Sequence, residues 1–299
     1  MAFSPGHITG FFQICDRPTD PLLKGSRGAG VSIGNGVTTK VTLKPSQNSS
    51  FKIKINETHT KSAEVSEQII NSFLFRANED YEVLVDHEVK VPIGSGFGSS
   101  GAGALSLALA LNEVLNLGLS RIKTAQIAHI AEVKCKTGLG TVIAENFGGV
   151  EIRVEPGAPG IGKIKPILVE DDYAVACLNF GKLSTKKNLS DEKIRRHINE
   201  TGKKLIDKLI PHPNLTDFMA FSRSFAEEVG LISQRVRRVL EETDRLSITC
   251  SMAMFGETVF SLIKREKTEE ILEIFRRHAP SRNSAFITEI DFEGARLID

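Results

Sequence analysis

A glycine-rich stretch from Pro92 to Ala102 carries the residue types of a phosphate-binding site. The strand-like segment Glu88 to Val91 precedes it, and the helix-like, small-residue segment Gly103 to Leu111 follows it. A strand that leads through a glycine-rich turn into a helix directs backbone N–H groups and the positive end of the helix dipole at one point, which favours an anion. Ser99 and Ser100 fall in the first helical turn, where a hydroxyl can cap the helix or reach Mg²⁺ and a phosphate oxygen. The pattern indicates a phosphate loop, and the alternative is a capped turn whose glycines serve packing.

Two common phosphate motifs fit this stretch poorly. A Walker-type loop needs a lysine directly after its glycines, and none stands here. The segment Gly96 to Gly101 matches the GxGxxG pattern of dinucleotide-binding proteins, but that pattern requires a following strand that ends in an acidic residue about 20 residues on. Here a second helix, with Ser120 as its N-cap, follows the first one. The dehydrogenase interpretation is therefore the weaker one.

Composition limits the partners of the protein. The 299 residues include 38 basic and 37 acidic side chains, for a formal charge of +1, so no overall field draws the chain to nucleic acid or to an anionic membrane. The four cysteines are far apart and form no CxxC pair, which argues against a disulfide framework or a zinc site. No apolar run approaches about 18 residues. We expect a soluble cytoplasmic protein that binds neither nucleic acid nor membrane.

The surrounding elements predict two domains. Alternating residues at Thr39 to Leu43 and Phe51 to Ile55 predict strands, and the apolar spacing within Glu64 to Arg76 predicts a helix. The second helix is expected to run from Ser120 to about Lys136. A turn-rich segment, Pro156 to Gly162, has linker chemistry, and we predict domains 1–155 and 156–299 on either side of residue 155. Beyond it we expect helices at 191–210, 216–229, 233–242 and 268–278, a strand at 174–178, a strand pair spanning 247–263 and a strand at 285–290.

Three motifs resemble those of the galactokinase, homoserine kinase, mevalonate kinase and phosphomevalonate kinase (GHMP) superfamily. Its phosphate loop reads Pro-x-x-x-Gly-x-Gly-Ser-Ser-x-Ala, and Pro92 to Ala102 matches it position for position. Phe3 to Gly10 and Ser251 to Phe260 resemble the first and third motifs. The resemblance implies an α+β GHMP kinase fold, with an N-terminal ribosomal protein S5-like α/β domain and a C-terminal ferredoxin-like α+β domain. It implies ATP and Mg²⁺ as cofactors, with ATP held by Pro92, Gly94, Gly96, Phe97, Gly98, Ser99, Ser100, Gly101 and Ala102.

Finer details resemble archaeal pantoate kinases, which are enzymes of coenzyme A synthesis. They are Gly25-Ser-Arg-Gly-Ala-Gly30, Ala128-His-Ile-Ala-Glu132, Thr137-Gly-Leu-Gly140, Gly148-Gly149 with Arg153, and Ser251-Met-Ala-Met254. The resemblance implies that Ser100 and Glu132 hold the magnesium of Mg·ATP, and that the enzyme is a homodimer. It also implies that pantoate contacts Ser26, Arg27, His129, Arg153, and Ser184 or Thr185.

The residue types suit these roles, although each has a simpler interpretation. An arginine such as Arg153 can pair bidentately with the pantoate carboxylate. His129 and Glu132 are three residues apart and project from one helix face, so both can reach one cavity. The alternatives are a histidine satisfied by a neighbour, a solvated surface carboxylate, and a plain surface turn at Ser26 and Arg27. For Ser184 and Thr185 the alternative is an approach loop or cap for the helix near residue 191.

Two positions depart from the superfamily pattern. Thr141 stands where relatives with a carboxylate base carry an aspartate, and a hydroxyl cannot accept the substrate proton as a carboxylate does. Because phosphoryl transfer depends mainly on positioning and charge stabilisation, activity can survive this change. Glu145 lies one turn further on if the segment is helical, where it either substitutes for the aspartate or serves structure. His7 replaces the lysine or arginine of several relatives.

The resemblance therefore implies ATP-dependent phosphorylation of pantoate to 4-phosphopantoate, with Ser100, Glu132 and Thr141 at the catalytic positions. One alternative is a kinase for another small hydroxy acid or alcohol, such as homoserine or mevalonate. Another, suggested by Thr141, is a weakly active nucleotide-binding regulator. A substrate panel separates them, because the regulator binds ATP and turns over no acceptor.

Overall fold

The computed structural model describes residues 1–60, 63–183 and 192–299. Among them, eight strands form a first sheet in the order β12-β1-β2-β5-β3-β4, and β6 extends it by pairing with both β2 and β7. The strands are β1 (Ala2–Cys15), β2 (Gly25–Pro45), β3 (Ser50–Ile55), β4 (Thr58–Thr60), β5 (Tyr81–Val89), β6 (Val150–Glu155), β7 (Lys163–Ile167) and β12 (Arg296–Leu297). The long β1–β2 pair is antiparallel, from Ala2 opposite Thr39 to Cys15 opposite Gly25. β2 therefore passes β5 with its second half and β6 with its first half.

Helices cover one side of this sheet: α1 (Glu64–Ala77), α2 (Ser99–Val114), α3 (Arg121–Cys135) and α4 (Thr141–Phe147). Helix α2 is buried along most of its length, which fits its small apolar residues. A hydrogen-bond chain fastens it to the sheet, because Ser106 Oγ lies 2.6 Å from Thr39 Oγ1, which lies 2.8 Å from His87 Nδ1. These hydrogen bonds thus hold the helix that begins at the phosphate loop against strands β2 and β5.

The second half builds an antiparallel sheet in the order β11-β8-β10-β9. Its strands are β8 (Tyr173–Lys182), β9 (Ser251–Met252), β10 (Gly256–Lys264) and β11 (Ala285–Thr288), with α5 (Glu192–Leu209), α6 (Leu215–Val229), α7 (Gln234–Arg245) and α8 (Thr268–His278) around it. One hydrophobic core joins this half to β1, through residues such as Phe11, Phe218 and Phe260. The α+β class that the sequence predicts is confirmed.

The structure extends or moves several predicted elements. Gly25 to Gly30, which reads as a glycine-rich loop, is the beginning of strand β2. Glycines in β1 and α5 mark close approach instead of turns, because a Cβ at Gly10 would lie 2.1 Å from Ser222 Oγ and one at Gly202 would lie 2.0 Å from the Phe12 carbonyl oxygen. Helices α5 and α6 pack against β1 through these gaps.

The predicted boundary at residue 155 does not end the first sheet. Strand β7 lies beyond it and pairs with β6, and β12, almost at the C-terminus, pairs with the start of β1. The division into 1–155 and 156–299 stays a prediction, and both halves contribute strands to the first sheet. In the part of the chain that the structure describes, we find no helix with the length and apolarity needed to span a membrane.

Candidate active site

The three motifs meet at the glycine-rich stretch. The His7 N–H of the first motif donates to the Phe97 carbonyl at 2.9 Å, and Thr258 Oγ1, in the strand of the third motif, donates to the Ser95 carbonyl at 2.8 Å. Gly256 is so close that a Cβ there would lie 1.8 Å from Ser95 O. Strand β1 and strand β10 therefore both hydrogen-bond to the backbone of the loop and fix its position.

Glycine is required within the loop for its backbone conformation. Gly94, Gly96 and Gly98 have φ angles of +75°, +88° and +66°, which L-residues with a side chain rarely adopt. Gly98 is the N-cap of α2, and no side chain caps this helix. The first N–H groups of a helix have no carbonyl partner within it, so the loop and helix start present free donors to an anion. The capped-turn alternative is not supported, since neither Ser99 nor Ser100 serves as the cap.

Ser100 instead contacts a buried carboxylate on α3. Its hydroxyl donates to Glu132 Oε1 at 2.5 Å, and Thr137 Oγ1 donates to the same oxygen at 2.7 Å. Oε2 of Glu132 is buried without a partner. Burial raises the pKa of Glu132, and the two hydroxyl hydrogen bonds oppose this effect. A serine hydroxyl and a carboxylate with a free oxygen are hard oxygen donors, so this pair fits Mg²⁺.

Helix α4 places two further groups beside the loop. Thr141 begins the helix, and its Oγ1 lies 2.7 Å from the position that a Cβ at Gly101 would occupy. Glu145, one turn later, is fully buried, and both of its carboxylate oxygens lack a partner. Burial, followed by the nearby Glu132 carboxylate, raises the pKa of Glu145 well above its usual range, against the opposing effect of Arg153. The segment is helical, as the predicted placement of Glu145 requires.

Arg153, on β6, belongs to a buried charged cluster with Glu151 and His7. Its Nη1 donates to Glu151 Oε1, and His7 Nε2 lies 3.1 Å from the same oxygen. Thr9 Oγ1 lies 3.3 Å from His7 Nδ1, an arrangement that fits a neutral ring protonated at Nε2. Burial lowers the pKa of His7, which favours the neutral ring. His7 therefore helps to position Glu151 and does not supply the positive charge of a lysine.

One edge of the Arg153 guanidinium remains free for a ligand. Nε is buried without a partner, and Nη2 makes only a 3.5 Å contact to Thr9 Oγ1. Nε and Nη2 point the same way, as a side-on fork that matches a carboxylate. Ser26 lies at this edge, because a Cβ at Gly140 would be 2.0 Å from Ser26 Oγ and 3.2 Å from Arg153 Nε. Ser26 and Arg153 are thus brought together as predicted.

The motif glycines on β2 make room for this cluster. A Cβ at Gly28 would lie 2.7 Å from Arg153 Nη2, and one at Gly30 would lie 2.4 Å from the His7 ring. Both positions face β6 in the sheet register, where Gly28 pairs with Arg153 and Gly30 with Glu151. The glycine-rich pattern that resembles a loop in the sequence is therefore part of a strand, and its glycines leave room for the side chains of Arg153 and His7.

The predicted contact between Arg27 and the substrate is corrected by the structure. Arg27 follows Ser26 in a strand, so its side chain leaves the opposite face. Its guanidinium donates to the Val154 carbonyl at 2.8 Å, to Gln13 Oε1 at 3.2 Å and to Asp207 Oδ1 at 2.7 Å. With its donors committed to these partners, Arg27 fastens α5 to the sheet, and we remove it from the set of substrate residues.

His129 is buried, as is Glu132, but the two side chains have different partners. His129 Nε2 lies 3.1 Å from the carbonyl oxygens of both Pro21 and Lys24. This is the satisfied-histidine alternative for that nitrogen, and it holds the segment that leads into Ser26. Contact between His129 and substrate stays a prediction. Ser184 and Thr185 lie outside the described residues.

Sequence reasoning assigned no role in the site to Glu151 or to Thr137, although Thr137 begins one of the quoted motifs. Glu151 lies two residues before Arg153, so both side chains share one face of β6, and that spacing was the available signal. Thr137 lies five residues after Glu132, just beyond the left-handed Lys136 that ends α3, and no helical periodicity points to it. These two residues orient the candidate ligands Arg153 and Glu132.

Comparison with known proteins agrees with this geometry. The family model described as GHMP kinases N terminal domain matches residues 64–149. The chain is 38% identical to the pantoate kinase of Methanocaldococcus jannaschii over 92% of this chain and 96% of that protein. It is 34% identical to the pantoate kinase of Thermococcus kodakarensis over 91% of this chain and 90% of that one.

A solved structure is similar over nearly the whole length. It is described as a phosphotransferase related to the coenzyme A biosynthesis pathway, and it is 32% identical to this chain. The TM-score is 0.89, and the alignment covers 99% of this chain and 97% of that one. The similarity therefore includes both halves of the fold.

Proposed function

The chain belongs to the GHMP kinases and, within them, to the pantoate kinases, and from this membership we propose that it phosphorylates pantoate with ATP in coenzyme A synthesis. The products are 4-phosphopantoate and ADP. The observation that carries the proposal is the match to pantoate kinases over almost the full length of both proteins. The arrangement of the site supports it independently, through an anion-binding loop and a buried arginine edge.

The pantoate carboxylate is assigned to Arg153. The free Nε/Nη2 edge is a bidentate donor for a carboxylate, and Ser26 lies beside it as a hydroxyl partner for the substrate. Glu151 holds the opposite side of the guanidinium through Nη1. The substrate carboxylate thus occupies the edge of the Arg153 guanidinium that Glu151 does not contact.

The triphosphate of ATP is assigned to the loop Pro92–Ala102 and to the start of α2. The free N–H groups there and the helix dipole stabilise negative charge that develops during transfer. Ser100 and Glu132 would hold Mg²⁺, which when bound neutralises charge on the phosphate oxygens. Glu132 Oε2 is the unpartnered atom that fits this role.

The transfer itself is an in-line displacement. The pantoate hydroxyl oxygen bonds to the γ-phosphorus as the bond to the β,γ-bridging oxygen breaks, ADP leaves with that oxygen, and the hydroxyl proton is released to solvent water. The transition state of such reactions is loose in most analyses, so little proton transfer is needed before the new bond forms. Thr141 is compatible with this chemistry, because positioning by Arg153 and charge stabilisation by the loop supply most of the catalysis.

Two further properties of the protein are proposed. We propose a cytoplasmic location, which the four free cysteines support because cytosolic thiols stay reduced. A homodimer is proposed from family membership alone. Sedimentation of the purified protein tests the second property.

The proposed reaction is tested by ADP release from purified protein with Mg·ATP. D-pantoate, homoserine, mevalonate and galactose are compared at equal concentrations. Turnover with pantoate alone is expected. Turnover with another acceptor would replace the substrate and keep the kinase activity. ATP binding without turnover of any acceptor would indicate a nucleotide-binding regulator.

A further inference from the structure

Glu145 is a buried carboxylate beside the phosphate loop that the proposed reaction leaves without a role. It is 0% exposed, and neither of its oxygens has a hydrogen-bond partner among the described residues. A buried carboxylate without a partner carries a large desolvation cost, so such groups are usually paired or bound to a metal. Glu132 Oε2 is in the same condition. Two neighbouring buried carboxylates thus each have a free oxygen, and one bound cation could pair with both.

The geometry brings these two carboxylates around Thr141. Oε2 of Glu145 and Oγ1 of Thr141 lie 2.6 Å and 2.7 Å from the position of a Cβ at Gly101. Oε2 of Glu132 and the same Thr141 oxygen lie 2.3 Å and 3.1 Å from the position of a Cβ at Gly138. The Thr141 hydroxyl therefore lies within about 5.4 Å of a free oxygen of each carboxylate, and glycine at 101 and 138 leaves room for these oxygens.

The charged groups around Glu145 are mainly negative. Its electrostatic neighbours are Glu132, Arg153 and Glu151. Arg153 is already paired with Glu151, whose carboxylate also contacts His7. Among the residues that the structure describes, no arginine or lysine is therefore paired with Glu132 or Glu145 alone. The start of α2 adds a binding place for phosphate oxygens directly beside them.

We propose that Glu145 is a second carboxylate ligand of the magnesium ion, acting with Glu132 and Ser100. Mg²⁺ in nucleotide sites is commonly held by one or two carboxylates, substrate phosphates and several waters. Glu145 thereby contributes a carboxylate metal ligand from the turn of α4 that follows Thr141. The inference rests on the proposed function for the presence of Mg·ATP.

The same geometry makes metal binding dependent on nucleotide. Within residues 1–60, 63–183 and 192–299, no group of three or more histidine, cysteine, aspartate or glutamate side chains is placed to hold a metal ion. Two carboxylates and a hydroxyl leave most of an octahedral shell to phosphates and water. Tight binding is therefore expected only when ADP or ATP is present.

The test uses Mn²⁺ as the probe, with free Mn²⁺ followed by electron paramagnetic resonance in the presence of ADP. We expect Glu145→Gln to weaken Mn²⁺ binding to the protein–ADP complex at least tenfold, and Glu132→Gln to do the same. Glu113→Gln, an exposed change near the end of α2, is the matched control and leaves the Mn²⁺ affinity unchanged. Glu145→Asp keeps the charge with a shorter reach, and an intermediate loss is expected.

A second readout separates ligation from packing. Glu145→Gln removes a buried carboxyl that has no partner, so the metal-free protein should melt at the same temperature or higher. The rise in melting temperature caused by Mg·ADP should shrink in the same variant. A purely structural Glu145 would give a lower melting temperature and an unchanged Mn²⁺ affinity, which would overturn the inference.

The outcomes also separate this inference from the proposed function. Normal Mn²⁺ affinity in Glu145→Gln with pantoate turnover in the wild type rejects the inference and keeps the function. Loss of Mn²⁺ affinity in a protein whose wild type does not phosphorylate pantoate keeps the metal ligand and rejects the substrate.

Discussion

Arg153 and Glu151 form a buried ion pair that uses only one end of the guanidinium. Nη1 donates to Glu151 Oε1, while Nε has no partner and Nη2 has only a weak one. Because both side chains leave the same face of β6, the strand itself presents the free edge of Arg153 towards Ser26. The pair explains how a buried arginine keeps a donor edge for the carboxylate that we propose it binds.

Replacing Arg153 by lysine should raise the KM for pantoate. Lysine can still pair with Glu151, but it cannot offer two parallel N–H donors. A hydrogen bond to a charged group contributes about 1.5–3 kcal/mol, so a 10–100-fold rise is expected, with a smaller effect on the KM for ATP. Steady-state kinetics with each substrate varied checks this result.

Arg27→Lys is the matched control for Arg153→Lys. Arg27 faces Asp207 and the Val154 carbonyl, so the KM for pantoate should stay within about twofold of wild type. An equal rise in both variants would return Arg27 to the substrate site and contradict the side-chain placement described here.

Replacing Thr141 by aspartate should increase turnover with pantoate. The new carboxylate can accept the hydroxyl proton, and general base catalysis typically contributes 10²–10⁴-fold where that step limits the rate. In the loose transition state of this reaction we expect a smaller gain, of about tenfold. Thr141→Asn keeps the shape without the basicity and should show no gain.

The same substitution should destabilise the metal-free protein. A third carboxylate would stand beside Glu132 and Glu145, and like charges in a buried site repel. Thermal melting with and without Mg·ADP measures this cost. If turnover of Thr141→Asp is unchanged or reduced, the absence of a carboxylate base at position 141 does not limit the reaction.

Gly256→Ala should weaken ATP binding. A Cβ at this position would lie 1.8 Å from the Ser95 carbonyl oxygen and 2.5 Å from the Gly96 nitrogen, so the phosphate loop must shift. Such overpacking costs about 1–3 kcal/mol, and we expect a KM for ATP raised about tenfold with a lower melting temperature.

Gly103→Ala provides the control in the helix that follows the loop. A Cβ there meets nothing within 4 Å, and the residue lies inside α2 with ordinary helical geometry. Alanine should stabilise the protein by roughly 0.5–1 kcal/mol without changing the KM for ATP. A raised KM in this variant would mean that any change near the loop is disruptive.

Acid should destabilise the protein partly through His87. Burial lowers the pKa of His87 to about 4, against a weaker opposing effect of Asp86, and the ring contacts Thr39 Oγ1 and Ser66 Oγ. Between pH 6.5 and 4 the unfolded chain binds the proton and the folded chain does not. The free energy of unfolding should therefore fall as the pH falls through this window, by about 3 kcal/mol from pH 7 to pH 4.

Denaturant unfolding of the metal-free protein at several pH values tests the contribution of His87. His87→Gln should lose less stability between pH 7 and pH 4 than the wild type. His59→Gln, an exposed change on β4, should follow the wild-type curve. Coincident curves for all three proteins would assign acid sensitivity to other groups.

The parts of the site that the sequence predicted are those that depend on local backbone. The phosphate loop, the start of α2 and the N-cap at Ser120 follow from glycine conformation and from hydroxyl capping, which neighbouring residues decide. The α+β class and the kinship to GHMP kinases were also readable, because three motifs keep their order along the chain.

Tertiary structure decided which polar atoms are satisfied. Arg27 and Arg153 look alike in the sequence, yet one is fully engaged and the other keeps a free edge, because the strand face of each depends on the register of β2 with β6. Glu145 is buried beside the phosphate loop because α4 packs against Gly98 and Gly101. Whether a buried donor or acceptor is paired depends on atoms from segments far apart in the chain, and no local pattern of residues encodes that contact.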